Sequence, residues 1–324
     1  MKQNKDFNID EFLGFYDSYT KEVSKVIVGN TDVVKGILIC LLSKGHVLLE
    51  GIPGIGKTKL VQTLADVMSL KFSRIQFTPD LMPSDIIGTT ILEDNESGEK
   101  KFKFNYGPIF SNIVLADEIN RATPKTQSSL LEAMQENSVS FASQTHNLDQ
   151  PFIVLATQNP IEMEGTYSLP EAQMDRFLFK LIMHSPNEEE LKKIIHITTE
   201  KNNFSLNKII DKEKLLVYRD MVLDVLVSDE IMNFAIKLVV STHPGNKNAP
   251  DLVKEYVRIG SSPRGLQSLI LSAKSNALIN GRVHVSKEDI LEIFKPALRH
   301  RVLLNFAAEA ENISPEMVLD KVIT

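Results

Sequence analysis

Gly51-Ile52-Pro53-Gly54-Ile55-Gly56-Lys57-Thr58 is the segment whose residue types and spacing are most specific to one chemistry. It fits G-x-x-x-x-G-K-[ST]. Glycines in such a loop let successive backbone N–H groups face one concavity, which binds anions. The backbone from Gly51 through Pro53, Gly54, Ile55 and Gly56 would form that cradle. Lys57 would reach the β and γ phosphates of a nucleotide, and the Thr58 hydroxyl would ligate Mg²⁺. His46–Glu50 before the loop reads as a short buried strand. Lys59–Met68 after it repeats apolar residues at helical spacing: Leu60, Val61, Leu64, Ala65 and Met68. The start of that helix adds partial positive charge and free N–H groups. A glycine-rich turn that merely begins a helix is the plainer reading, and this strand–loop–helix context counts against it. The loop implies a nucleoside triphosphate without naming the base or the use of the energy.

Two further strands end in polar residues. Ile113-Val114-Leu115-Ala116 leads into Asp117-Glu118. An ionised carboxylate at a buried strand end needs a partner. Mg²⁺ beside Thr58 would be that partner for Asp117, and Glu118 would take a proton from an attacking water. Two acids opening a surface loop are the alternative, less favoured beside a phosphate loop. Phe152–Thr157 leads into Gln158-Asn159. Asn159 would contact the γ-phosphate or orient the water; equally, it is a turn asparagine before Pro160.

These residues must be held by a scaffold. Asp10–Lys25 reads as an amphipathic helix with Phe12, Leu13, Phe15, Tyr16, Tyr19 and Val23 on one side. From residue 26 to about 186, the strand candidates His46–Glu50, Phe72–Phe77, Ile113–Asp117, Phe152–Thr157 and Phe177–Ile182 alternate with helices. That alternation predicts an α/β core with a mainly parallel sheet covered on both faces. Ligands of such sheets sit at the carboxyl ends of the strands. Two segments, at about 89–104 and 139–148, read as hairpins that interrupt the core, with ordinary surface loops as the alternative. From 187 to 324 the pattern reads as wholly helical: a helix after Asn187, then Lys212–Val227, Asp229–Thr242, Pro263–Asn280 and Lys287–Arg299. Ser286 with Asp289 resembles a capping box, and Ser314-Pro315 is an N-cap followed by proline. The expected division is an N-terminal helix (1–25), an α/β core (26–186) and an all-α domain (187–324).

Composition removes other classes. The formal net charge is -6 over 324 residues, with no long basic run, which argues against a nucleic-acid groove. Cys40 is the single cysteine and lies in the apolar run Ile37–Leu42, as a small core residue does. No run reaches the roughly 18 apolar residues of a membrane helix. Met1–Asp10 is polar and lacks a signal-peptide core, so a cytoplasmic protein is expected and three N-x-S matches (Asn95, Asn203, Asn312) are chance.

The chain resembles the MoxR-type ATPases, in the helix-2-insert branch of the AAA+ family. The resemblance runs through Arg74-Ile75-Gln76-Phe77-Thr78-Pro79-Asp80-Leu81 and Leu115-Ala116-Asp117-Glu118-Ile119-Asn120-Arg121-Ala122. It continues through Lys125-Thr126-Gln127, Leu130-Leu131-Glu132-Ala133-Met134 and Ala156-Thr157-Gln158-Asn159-Pro160-Ile161-Glu162. Pro170-Glu171-Ala172-Gln173-Met174-Asp175-Arg176-Phe177, Gly260-Ser261-Ser262-Pro263-Arg264 and Arg299-His300-Arg301 carry it to the end of the chain. The resemblance implies a P-loop core followed by a smaller all-α lid, with ATP and Mg²⁺ as cofactors. It implies that Val28 and Gly29 lie near the adenine and that Asn159 is the sensor-1 residue. Arg176 would be an arginine finger reaching the γ-phosphate of a neighbouring subunit. Arg264 would be sensor 2, contacting its own subunit's phosphates from the lid, and Arg121 would face the subunit interface. From the residues alone, Arg176 is a surface arginine after a helix and Arg264 an early helix residue. The resemblance further implies a homo-oligomeric ring, a hexamer, that remodels or activates a client protein. Such clients carry von Willebrand factor A domains or await metal or cofactor insertion. Asn30, Met82, Ile87, Met163, Ser168 and Met174 depart from the family pattern, none at an expected catalytic position.

Three other classes compete less well. Asp85-Ile86-Ile87-Gly88 fits the D-x-x-G of a GTPase switch, but no N-K-x-D guanine motif follows. A nucleic-acid motor or loader is opposed by the negative charge and the lack of an appended DNA-binding motif. A non-hydrolysing scaffold is opposed by Glu118.

Overall fold

The computed structural model describes residues 8–94, 100–141, 144–159, 166–199 and 205–324. The turns of both hairpins (95–99 and 142–143), residues 160–163 of the family pattern, and Asn95 and Asn203 lie outside these residues.

Helix α1 (Ile9–Val23) opens on Asn8, whose side chain accepts from the Glu11 N–H, and buries Phe12, Phe15, Tyr19 and Val23. Helix α2 (Thr31–Leu42) buries every residue from Ile37 to Leu42. A helix apolar on all sides has no period to read, so the apolar run alone did not identify it. Strand β1 (Val47–Glu50) leads through the glycine loop into α3 (Lys57–Val67), followed by β2 (Phe72–Gln76) and α4 (Pro83–Ile87). Strands β3 (Gly88–Asp94) and β4 (Lys100–Tyr106) form the first antiparallel hairpin. The D-x-x-G match has a local explanation. Asp85 accepts from the Met82 N–H at 2.9 Å, and Gly88 adopts φ 104 where a side chain would strike the Asn105 carbonyl.

Strand β5 (Ile113–Asp117) is buried throughout and precedes α5 (Pro124–Glu136). The second hairpin, β6 (Ser138–Phe141) with β7 (Gln144–Asn147), precedes β8 (Ile153–Gln158), α6 (Glu171–Met174) and β9 (Phe179–Ile182). The two hairpins pack together through rings, with Phe104 stacked on His146 at 4.5 Å.

The sheet has five strands in the order β2-β5-β8-β1-β9, and every pairing is parallel. Alternate residues therefore feed two cores. Val47, Leu49, Ile113 and Leu115 face α1, α2, α3 and the C-terminal helices. Leu48, Val114, Ala116, Val154 and Ala156 face α5. Burial on both faces is the reason these strands read as short unbroken apolar runs.

The remaining helices are α7 (Glu188–Thr199), α8 (Lys212–Asp224), α9 (Asp229–Val240) and α10 (Asp251–Tyr256). After β10 (Val257–Ile259) come α11 (Pro263–Ile279) and α12 (Lys287–Leu298). After β11 (Leu303–Leu304) come α13 (Phe306–Ala310) and α14 (Pro315–Ile323). Asn187 and Glu190 cap α7 reciprocally, at 3.0 and 2.9 Å. The Ser286–Asp289 capping box and the Ser314 N-cap also form. The wholly helical expectation fails at one point: β10 and β11 pair antiparallel. Strands this short carry no period of two. Tyr218 of α8 sets its ring against Phe12 and Phe15, at 5.1 and 5.2 Å, so α1 joins the two parts of the chain.

His46 ties the start of β1 to β8 and to α5. Its Nδ1 accepts from the Val154 N–H at 3.0 Å, which leaves the proton on Nε2, 3.0 Å from the Met134 carbonyl. Burial pushes its pKa down to about 4. The unfolded chain, with an ordinary imidazole, binds the proton first as pH falls. Stability from neutral His46 is thus complete above about pH 6.5 and is lost toward pH 4, by up to roughly 3 kcal/mol. We predict that His46→Gln flattens the decline of Tm between pH 6.5 and 4 relative to wild type. Parallel Tm profiles would contradict this.

Candidate active site

The loop between β1 and α3 has the backbone that phosphate binding requires. Gly54 and Gly56 take φ 78 and 97, and Gly56 is the N-cap of α3. These left-handed positions turn consecutive N–H groups inward. Lys57 lies back across the loop, with Nζ 2.7 Å from the Gly51 carbonyl. Thr58 follows in the first turn of α3.

Strand β5 delivers its two acids one residue apart in different conformations. Asp117 ends the strand, 8 % exposed, while Glu118 adopts φ 58 and ψ 49. A left-handed conformation at a non-glycine residue costs on the order of 1 kcal/mol, and such residues gather at functional sites. Thr157 of β8 holds the pair together. Its hydroxyl donates to Asp117 Oδ1 at 2.6 Å and accepts from the Glu118 N–H at 2.8 Å. On the other side, Arg74 of β2 donates to Asp117 Oδ2 through Nε at 3.0 Å and Nη2 at 2.6 Å. The same Nη2 lies 2.6 Å from Gln76 Oε1. Gln76 in turn donates to Glu118 Oε2 at 2.8 Å, and Arg121 reaches that oxygen at 3.1 Å. Thr157, Arg74 and Gln76 had no role from sequence. A signal existed: Arg74 and Gln76 are polar on one face of a strand that pairs directly with β5.

Asn159, buried at 7 % exposure, follows β8 immediately and so lies at the same end of the sheet. Val28 and Gly29 reach that end by a different device. The neighbouring Asn30 pairs its side-chain amide with the His184 backbone just beyond β9, at 2.9 and 3.2 Å. Gly29 has φ 71, and a Cβ there would lie 2.5 Å from Glu190 Oε1. Asn30, a departure from the family pattern, thus clips this segment beside the phosphate loop.

Arg176 and Arg264 lie elsewhere. Arg176 precedes β9, and its Nη1 donates to the Leu131 carbonyl of α5 at 2.8 Å. Arg264, in the first turn of α11, lines a cavity of about 400 Å³ with Arg176, Asp175, Lys44, Gly45 and His46. Lys44–His46 lie before β1 and Gly51 after it, so the strand separates the cavity from the loop by about 16 Å at ~3.3 Å per residue. The expectation that Arg264 contacts phosphates on its own chain is therefore corrected. The arrangement of α11 puts it beside Arg176, at the amino ends of the strands. Asp175 fixes this arrangement. Its carboxylate accepts from Arg301 Nε at 2.8 Å and from the Ser262 hydroxyl at 2.9 Å. Arg301 also donates to the Phe177, Leu178 and Ala297 carbonyls and to Ser268.

The donor chemistry at the carboxyl ends fits a nucleotide with Mg²⁺. Thr58 and Asp117 offer hard oxygen ligands, and Mg²⁺ usually takes few protein ligands and completes its shell with phosphate and water. Among the described residues no group of three or more His, Cys, Asp or Glu could cage a metal by itself.

Comparisons with known proteins show the family and the fold. Residues 46–179 match the ATPase family associated with various cellular activities, and residues 250–322 match the AAA lid domain. The chain is 44% identical to Chaperone MoxR1 of Mycobacterium tuberculosis, over 93% of this chain and 79% of that protein. It is 27% identical to Protein MoxR of Methylorubrum extorquens, over 93% and 91%. A crystal structure of a presumed ATPase from Cytophaga hutchinsonii superposes with a TM-score of 0.91, at 41% identity, covering 97% of this chain and 95% of that one.

Removing one member of a buried ion pair strands the other charge, a loss of about 3 kcal/mol or more. Arg301 is 6 % exposed. Asp175→Asn is accordingly predicted to lower Tm by several degrees, whereas a surface control such as Glu188→Gln leaves it unchanged. Equal Tm values for the two variants would remove Asp175 from its anchoring role.

Proposed function

Because the chain belongs to the MoxR-type AAA+ ATPases, we propose that it hydrolyses ATP with Mg²⁺ as a ring of subunits, a hexamer, and uses the cycle to remodel or activate a client protein. The observation that carries this reading is the split between Gly51–Thr58, Asp117, Glu118 and Asn159 at one end of a parallel sheet and Arg176 with Arg264 at the other. A single chain then holds most of one site and the cationic part of another.

In the proposed reaction the loop N–H groups bind the phosphates, and Lys57 turns from the Gly51 carbonyl to the β and γ oxygens. Val28 and Gly29 border the adenine. Thr58 and Asp117 would hold Mg²⁺, which when bound neutralises phosphate charge and fixes the β and γ groups. Glu118 accepts a proton as water attacks the γ-phosphorus, and ADP leaves. Asn159 orients that water. Arg176 and Arg264 of the adjacent subunit stabilise the charge spread over the γ oxygens. Supplying these cations from a neighbour couples hydrolysis to assembly, and their shared attachment through Asp175 and Ser262 links them to lid movement. Arg121, which reaches Glu118, faces the same junction.

The name chaperone borne by the Mycobacterium relative supports a protein client. The family resemblance favours clients with von Willebrand factor A domains. The net charge of -6 weighs against the alternative, a nucleic-acid motor. No helix among the described residues is long and apolar enough to cross a membrane. A cytoplasmic site of action is part of this proposal.

Glu118→Gln should bind ATP normally and turn over at least 100-fold more slowly, the usual range for a lost general base. Mixing Lys57→Ala subunits with Arg176→Ala subunits should recover part of the activity that each lacks alone. Unchanged turnover in the first case, or no recovery in mixed rings in the second, contradicts the assignment.

A further inference from the structure

We propose that Arg74 is the resident counter-cation of the metal site: it occupies Asp117 while the metal is absent and surrenders that carboxylate as Mg²⁺ enters. This rests on the nucleotide-site reading above and adds a residue to it. Asp117 is 8 % exposed, and a carboxylate so placed needs a positive partner at every stage of a cycle. Its two oxygens are treated differently. Oδ1 takes the Thr157 hydroxyl at 2.6 Å, a neutral donor supplied by the adjacent central strand. Oδ2 takes both Nε and Nη2 of Arg74, at 3.0 and 2.6 Å. The charged partner is thus concentrated on one oxygen, and that is the oxygen left for a metal.

A guanidinium and a divalent ion repel one another strongly at a shared oxygen, because a partly buried site screens them poorly. Arg74 is built to move. Its strand, β2, is the outermost of the sheet, and its side chain is 46 % exposed, against 11 % for the carboxylate it holds. The guanidinium therefore leaves by rotating toward solvent without opening the core. Gln76 Oε1, 2.6 Å from Nη2, already offers it a second acceptor. Thr157 stays on Oδ1 and keeps the carboxylate oriented during the exchange. A fixed brace would behave differently: the orientation it gives the carboxylate would outweigh the repulsion, and its removal would weaken metal binding.

The two roles predict opposite signs. ADP-loaded protein, in excess over nucleotide, is titrated with Mn²⁺ and free Mn²⁺ is followed by electron paramagnetic resonance. Arg74→Gln is expected to bind Mn²⁺ at least tenfold more tightly than wild type. Arg74→Lys keeps the charge but offers one nitrogen to Oδ2, and is expected between the two. It carries the test if the Gln variant does not fold. Asp117→Asn in the Arg74→Gln background should abolish the gain. Weaker or equal Mn²⁺ binding in the Arg74 variants would overturn the proposal. ADP affinity measured by calorimetry in EDTA separates the two layers. It should be similar in wild type and Arg74→Gln and lost in Lys57→Ala. No ADP binding by wild type would overturn the nucleotide-site reading itself.

Discussion

All five strands of the central sheet point the same way, and that polarity governs where chemistry can be placed. Residues that follow strands gather at one end, and residues that precede them gather at the other. Asp117 closes its strand, and Gly51, Glu118, Asn159 and the clip between Asn30 and His184 lie just beyond strand ends. Lys44, His46 and Arg176 all lie before strand starts. Four residues of β1 are enough to keep the two groups apart. No side-chain rotation bridges such a gap. On the proposed function, a charge carried before β9 serves a neighbouring subunit's nucleotide and not its own.

The second group is held with as much care as the first. Arg301 donates to the Asp175 carboxylate, Ser268 and four backbone carbonyls, so its burial is compensated. Through Asp175 it fixes the turn before β9, and through Ser262 the start of α11. Arg176 follows Asp175 directly, and Arg264 lies two residues after Ser262. Further ties join the helical part to the α/β part, among them Lys35 with Glu292 at 2.5 Å and the rings of Phe12, Phe15 and Tyr218. The helical part therefore sits in a defined position, and a shift of α11 carries Arg264 with it.

Much of this was legible in the residues. Strands β1, β5 and β8 follow from apolar runs flanked by glycine and polar residues, β2 and β9 from apolar residues interspersed with polar ones, and the phosphate loop from its glycines. Asp117 and Glu118 follow from acids closing an apolar strand. What was not legible has physical causes. Helix α2 is buried on all sides over Ile37–Leu42 and has no period there. Strands β10 and β11 are too short for one. The roles of Arg74, Gln76 and Thr157 depend on strand order, which brings β2 and β8 to either side of β5; a linear sequence does not state that order. Arg264 was placed on the wrong end because its position depends on how α11 packs beside Asp175, a contact between residues 87 apart.

On the proposed function, one chain does not complete its own hydrolytic site. Turnover per subunit, measured against protein concentration with the mass distribution recorded at each point, tests it most directly. The account predicts negligible turnover where the chain is monomeric and a rise that tracks the fraction of assembled subunits. A monomer that hydrolyses ATP at the assembled rate would contradict it.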